Sequence, residues 1–182
     1  MRVVAGSARG RKLKAVPGSS TRPIMDRVKV ALFDILRPQL ESRTMLDLFA
    51  GSGSVGIEAL SQGAGFCYFT EIEPRAIRTI KENLEATGLS DRAEVRNQDA
   101  FTFLRNTRKS FDLIYIAPPQ YKAIWVEAMQ AIAERPEIVT ADGRVIVQID
   151  PNEYEPLNLA SLVEADQRKY GNSLLVFFKH CA

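Results

Sequence analysis

Apolar runs of strand length that alternate with stretches of helical periodicity predict an α/β fold, a mainly parallel sheet with helices on both faces. Two further observations support this reading. The pattern Gly51-x-Gly53-x-x-Gly56 falls between the first run and the helix-like stretch that follows it. An acid stands at or after each of the first three runs, which sets Asp47, Glu71 and Asp99 on one sheet edge. Repeated units of this kind connect by right-handed crossovers.

Each element has its own signal. "RVVAGSARGRKLKAV" reads as two short extended segments around a glycine-containing turn, a basic hairpin. "PGSSTRP" is loop chemistry. From Pro23, apolar residues at 24, 28, 32, 35 and 36 have helical spacing, with Pro23 suited to a first turn and Arg27 and Lys29 expected on or beside the polar side. "TMLDLF" (44–49) is the first strand, and "SVGIEALSQG" a helix closed by Gly63. "FCYFTEI" (66–72) is the second strand, and "PRAIRTIKENLEATG" a helix stopped by Gly88. "AEVRN" is the third strand, and Asp99 caps the short helix "DAFTFLRN". "FDLIYIA" is the fourth, with a helix after Tyr121, and "GRVIVQI" (143–149) the fifth. The tail reads as an antiparallel hairpin around Gly171-Asn172.

Composition narrows the function classes. The 182 residues favour one domain, and 46% hydrophobic with 25% charged is ordinary for a soluble globular chain. No apolar stretch approaches the roughly 20 residues of a membrane helix, and the N-terminus has no signal-peptide core. Cys67 and Cys181 make neither a disulfide framework nor a metal spacing, and His180 is the one histidine. The expectation is a cytoplasmic protein with no metal and reduced thiols. The net charge of +2 hides an asymmetry. Residues 1–29 carry eight Arg or Lys against Asp26, a balance of +7 that leaves −5 for the rest. A basic arm on an acidic body suggests a polyanionic partner, with nucleic acid ahead of a merely solvated basic hairpin.

The glycine loop suits close approach of a nucleoside cofactor, because glycine tolerates sharp turns and the helix N-terminus favours anionic groups. Spacing alone leaves NAD and other nucleoside cofactors open. Asp47 leans toward a cofactor with a cationic end, such as the ammonium of S-adenosylmethionine, since a carboxylate there would repel a pyrophosphate. Glu71 is placed to accept from ribose hydroxyls and Asp99 from an adenine amine. Taken singly, Asp47 reads equally as a local cap, Glu71 and Glu73 as solvated acids, and Asp99 as a helix cap.

"DLIYIAPPQYKAIW" nearly spells the Asp/Asn-Pro-Pro-Tyr/Phe motif of enzymes that methylate exocyclic amines. Ala117 stands where the acid or amide belongs, and Gln120 where the aromatic belongs, with Tyr121 one place late. Ala117 supplies only its carbonyl, while Pro118 and Pro119 still fix the loop. Gln120 carries an amide that can bind the base edge, and Tyr121 is positioned to stack on it if the loop bends differently. Alternatively Tyr121 and Trp125 are core packing and catalysis is lost. One missing side-chain acceptor costs about 2–4 kcal/mol of barrier if uncompensated, which slows an enzyme without silencing it.

Over nearly its whole length the chain resembles the bacterial small-subunit rRNA guanine-N2 methyltransferases, which modify guanine-966 of 16S rRNA. The segments that carry this are "RVVAGSARGRKLKAVPGSSTRPIMDRVKVALFDIL", "LDLFAGSGSVGIEALSQGA" and "EIEPRAIRTIKENL". The resemblance implies a Rossmann-like class I methyltransferase fold, a seven-stranded mainly parallel sheet of order 3-2-1-4-5-7-6 flanked by helices. It implies residues 1–22 as a basic N-terminal β-hairpin extension and 23–182 as the catalytic core. It implies a cofactor site for S-adenosyl-L-methionine at Asp47, Phe49, Ala50, Gly51, Gly53, Glu71, Ile72, Asp99 and Ala100. Catalysis falls to residues 117–121. Arg2, Arg9, Arg11, Lys12, Lys14, Arg22 and Arg27 would approach RNA phosphates, which position a substrate more than they read it. The partner is 16S rRNA, the 30S subunit or an assembly intermediate, and a monomer is expected. Where Val30 stands the family usually has an acid, so any contact of that acid is lost. The residues alone leave open a DNA-base or protein-glutamine methyltransferase, an NAD-dependent oxidoreductase, and an RNA-binding module without catalysis.

Overall fold

The computed structural model describes residues 1–19, 23–120 and 123–182. One sheet organises the chain. Strands β1 (Thr44–Asp47), β2 (Phe66–Glu71), β3 (Ala93–Asn97), β4 (Phe111–Ile116) and β5 (Val139–Ile149) are parallel, and β6 (Leu162–Tyr170) and β7 (Ser173–His180) form an antiparallel hairpin. The order is β3-β2-β1-β4-β5-β7-β6, the order implied by the family resemblance, with β7 entering antiparallel to β5. The hairpin fills the far edge without a crossover helix because antiparallel strands need only a tight turn.

Helices α1 (Asp26–Leu36), α2 (Ser54–Ser61), α3 (Pro74–Thr87), α4 (Ala100–Asn106) and α5 (Ile124–Ala133) cover the two faces. Strand alternation decides which side chain goes where. Met45, Leu113, Tyr115 and Ile146 face α1, α2 and α3, whereas Leu46, Ile114, Val145 and Val147 face α4 and α5. All eight residues of α2 are buried, and the helix lies so close to β2 that a Cβ on Gly56 would stand 2.3 Å from Phe69 Cε1. Helix α3 begins at Pro74 with Glu73 accepting from Arg75 N, and stops at Gly88 in the left-handed region at φ 71°.

Boundaries shift where long-range pairing overrides local pattern. β1 ends at Asp47, two residues short of the apolar run, because Leu48 and Phe49 enter the glycine turn and Leu48 N donates to Tyr115 O. β5 begins at Val139 rather than Gly143, since Val139 pairs with Phe111 across a register shift. The N-terminal segment makes a hairpin with one antiparallel bridge, Arg2 to Lys12, too short for named strands. Val3 N donates to Arg11 O and Gly10 N to Val3 O, both at 2.9 Å. Far from being a solvated loop, the arm buries Val3, Ala8 and Leu13.

Helix α2 holds that arm. Ser7 N donates to Ser61 O, Ala8 N to Ser61 Oγ, and the Glu58 carboxylate accepts from Val4 N at 2.9 Å and Ala5 N at 3.1 Å. Gly6 passes so near that a Cβ would come within 1.9 Å of Ser61 O. Lys29 departs from its expected place. It is 1% exposed and pairs with Glu58, itself 0% exposed, at 3.2 Å. Position 29 lies three, four and seven residues before Leu32, Phe33 and Leu36, all on the buried stripe of α1, so the helix carries it inward. Its ammonium donates to Arg2 O at 2.7 Å and Ser54 Oγ at 3.0 Å, using all three donors with the Glu58 contact.

Candidate cofactor and substrate site

The turn between β1 and α2 has the geometry its glycines permit. Gly51 and Gly53 sit at φ 57° and 81°, and Gly53 is the N-cap of α2. Ala50 N donates to Thr70 O and Gly53 N to Ala50 O, which fixes the loop against the end of β2. Asn83 of α3 braces it from outside, donating from Nδ2 to both Ser52 O and Lys14 O while its Oδ1 accepts from Lys14 N. Asn83 was not among the residues expected at the site. It sits on the apolar stripe of α3 between Ile80 and Leu84, and a buried polar residue on such a stripe is the signal that marks it.

A cavity opens above the ends of β1, β4 and β5. Its floor includes Asp47, Phe49, Ala50, Gly51, Tyr115, Ala117 and Gln148, and its roof is the arm and the segment before α1, through Met1, Ala15, Val16, Ser19, Pro23 and Ile24. Helix α1 starts at Asp26, so Pro23 precedes the helix and is not in its first turn. Asp47 is 1% exposed; Oδ2 accepts from Gly56 N at 3.2 Å, while Oδ1 is buried without a hydrogen-bond partner among the described residues. Burial lifts its carboxyl from 3.8 to about 7, opposed by the Gly56 N–H and reinforced by the charge of Glu71. An orphaned carboxylate oxygen in a cavity wall fits a cationic ligand group, as the ammonium of S-adenosylmethionine would be, and disfavours a pyrophosphate.

Glu71 stands beside the cavity at the end of β2. Its Oε2 accepts from Gly51 N at 2.9 Å, and its Oε1 from Ile72 N at 3.0 Å and Glu73 N at 3.2 Å. Three of roughly four acceptor positions are thus taken. Ile72 is 61% exposed, an apolar side chain left uncovered next to this carboxylate. Asp99 caps α4 through Oδ2, which accepts from Thr102 N and Thr102 Oγ1, and Ala100 is buried behind it. Phe49 meets Phe101 edge to face at 6.4 Å between centroids. Glu71, Ile72, Asp99 and Ala100 therefore line the strand ends beyond the cavity rather than its floor.

Of the loop after β4, Ala117 lines the cavity, Pro118 is buried, and Pro119 and Gln120 are exposed. Tyr121 and Arg22 lie outside the described residues. Trp125 belongs to the core: it is buried on α5 and stacks on Tyr154 with an interplanar angle of 17°. Two residues of the cavity went unread in the sequence, Tyr115 and Gln148, whose side chains are joined by a short hydrogen bond from the tyrosine hydroxyl to Oε1. Burial and the nearby Asp47 push the Tyr115 phenol well above its usual value, so it stays protonated.

The arm's cations face solvent. Arg2, Arg9, Arg11, Lys12, Lys14 and Arg27 are exposed, with Arg2 3.6 Å from Asp26 and Lys14 3.0 Å from Glu82. Exposed pairs of this kind contribute about 0–1 kcal/mol and give way readily to phosphate. Among the described residues no helix is long and apolar enough to cross a membrane, and no group of three or more His, Cys, Asp or Glu is arranged to hold a metal ion.

Known proteins share this architecture. The family described as "Conserved hypothetical protein 95" matches residues 1–179. YlbH of Bacillus subtilis (strain 168), provisionally named an rRNA methyltransferase, is 37% identical over 98% of both chains. Ribosomal RNA small subunit methyltransferase D of Haemophilus influenzae is 37% identical over 74% of this chain and 71% of its own. A solved Escherichia coli structure, provisionally named methyltransferase yhhF, superposes with a TM-score of 0.88 at 27% identity, covering 99% of this chain and 97% of that one.

Proposed function

The chain belongs to the Conserved hypothetical protein 95 family, with the small-subunit rRNA methyltransferases D among its relatives, and from that premise we propose that it methylates the exocyclic N2 of a guanine in 16S rRNA, using S-adenosylmethionine. One observation carries the reading: Asp47, whose buried Oδ1 has no hydrogen-bond partner among the described residues, lines a cavity walled by the glycine loop and roofed by the basic arm. That arrangement supports a cationic nucleoside cofactor beside a polyanionic substrate. The substrate would be the free RNA, the 30S subunit or an assembly intermediate, met in the cytoplasm by a monomer.

When bound, the cofactor supplies an electrophilic methyl group on a sulfonium. In this proposal Asp47 Oδ1 takes the ammonium, and the remaining acceptor position of Glu71 takes a ribose hydroxyl. A clasp on both hydroxyls requires one of the three backbone bonds to Glu71 to loosen. Ile72 and Phe49 offer apolar surface to the adenine, and Asp99 with Ala100 offers polar edge contacts.

The target amine needs acceptors for its protons, because its lone pair is delocalised into the ring. Carbonyl oxygens of Ala117 and Pro118 fill that role where the usual acid or amide is missing, on a loop whose φ angles the prolines lock. Holding the amine in line supplies much of the rate. The arm cations Arg2, Arg9, Arg11, Lys12, Lys14 and Arg27, with Arg22, bind phosphates on the approach to the cavity.

The test incubates the protein with labelled cofactor and 30S subunits that lack the modification, followed by nuclease digestion and mass spectrometry. A methyl group on guanine N2 is the expected result. Transfer to a non-guanine acceptor, or none at all, overturns it.

A further inference from the structure

Gln148 sits near the end of β5 and lines the cavity with Asp47, Tyr115 and Ala117. The β4–β5 ladder pairs Tyr115 with Ile146 and Ile116 with Val147, so the next step sets Ala117 beside Gln148. Tyr115, Ala117 and Gln148 then share one face of the sheet, and all three line the cavity.

Tyr115 is rigidly placed. It is buried, stands opposite Asp47 in the β1–β4 ladder, and its carbonyl accepts from Leu48 N at 3.0 Å. Its hydroxyl is spent on Gln148 Oε1. A carboxamide is planar and has one acceptor end and one donor end. With Oε1 held by the Tyr115 hydroxyl, the amide's orientation is fixed, and Nε2 is its one group able to donate to a ligand. The cavity therefore offers a hydrogen-bond donor next to Ala117, on the neighbouring strand.

Purines that carry a 2-amine differ at N1 and C6. Guanine has an N1–H donor and the acceptor O6, and 2,6-diaminopurine has an N1 acceptor and a 6-amine donor. Only a change that follows the Gln148 side chain therefore reports on C6. Neighbouring strands are about 4.8 Å apart, close to the span of a purine's pairing edge from the 2-amine to the C6 substituent. We infer that Gln148, oriented by Tyr115, selects guanine by donating from Nε2 to O6 while the 2-amine lies at Ala117. This rests on the guanine-N2 reading above and adds to it the residue that reads the base.

A donor facing a donor leaves two buried polar groups unpaired, and sites built on such contacts discriminate strongly. The experiment uses 30S subunits reconstituted with 16S rRNA that carries either guanine or 2,6-diaminopurine at the mapped target. It compares kcat/KM for the two and measures S-adenosylhomocysteine binding alongside. The unaltered protein should prefer guanine by roughly tenfold or more. Gln148→Glu, nearly isosteric but acceptor-only, should collapse or invert that ratio with cofactor-product affinity unchanged. Tyr115→Phe frees the amide to turn and should narrow the ratio too. An unchanged ratio in Gln148→Glu overturns the inference, as does equal use of both bases by the unaltered protein. Loss of S-adenosylhomocysteine binding in Gln148→Glu would reassign the side chain to the cofactor and overturn it as well. Transfer to neither base defeats the guanine-N2 reading itself and this inference with it.

Discussion

Replacing Lys29 by methionine keeps an unbranched apolar stem on α1 and removes the ammonium. Three bonds disappear, to Arg2 O, Ser54 Oγ and the Glu58 carboxylate. Glu58 remains 0% exposed, with Val4 N, Ala5 N and Gln62 Nε2 as donors and its cationic partner gone. Removing one member of a buried ion pair destabilises by about 3–5 kcal/mol, because the other charge stays buried and uncompensated. In a domain of this size each kcal/mol lowers Tm by about 2–4 °C, so the fall should be about 6–20 °C. The network joins the arm to α1 and α2, so Lys29→Met should also loosen the arm's backbone and speed trypsin cleavage after the already exposed Arg9, Arg11 and Lys12. Circular dichroism melts and timed proteolysis read both effects. Adding Glu58→Gln removes the stranded charge and keeps an acceptor, and the double variant should regain at least about 1 kcal/mol. A drop in Tm below about 2 °C with unchanged cleavage would refute the argument that this pair anchors the arm.

Three other outcomes follow from the carboxylates of the site. Burial raises Asp47 from 3.8 to about 7, so in the unliganded protein its contribution to stability is full below about pH 4 and is lost as pH rises through 7. That interval corresponds to about 4 kcal/mol, and melts of Asp47→Asn should lack this dependence. A cationic ligand group at Oδ1 favours the ionised form, so S-adenosylhomocysteine binding at pH 6 should release protons. Its calorimetric heat should then vary with the ionisation enthalpy of the buffer, and in Asp47→Asn it should not. Glu71→Ala removes the acceptor of Gly51 N and, in the proposed reading, of a ribose hydroxyl, and should weaken S-adenosylhomocysteine roughly 10- to 100-fold by titration calorimetry. Unchanged affinity would remove Glu71 from the cofactor site.

The alternation of strands and helices, the glycine turn and the acids at the strand ends were legible before any coordinates. Each depends on local pattern: alternation, helix period, or glycine where φ turns positive, as at Gly51 and Gly53. The order of the strands in the sheet came only through the family resemblance, because which strands pair is not written in local pattern. Some boundaries escaped. β5 starts four residues early because its first residue answers to Phe111, on a strand 28 positions upstream. The Asp99 cap and the buried Trp125 took the local roles that their neighbours favour. The N-terminal basic segment announced a partner through its charge, yet nothing in it revealed that Val3, Ala8 and Leu13 are core residues.

By itself, the sequence determined the layered α/β architecture, the place of the glycine loop and the basic character of the arm. Periodicity and charge are properties of neighbours along the chain. Tertiary structure alone decided that Lys29 and Glu58 neutralise each other beneath the arm, that Asn83 ties it to the glycine loop, and that the Tyr115 hydroxyl donates to the Gln148 amide. Those partners are 29 to 69 residues apart, and a polar side chain's function is set by what it meets across the fold, which spacing along the chain does not encode.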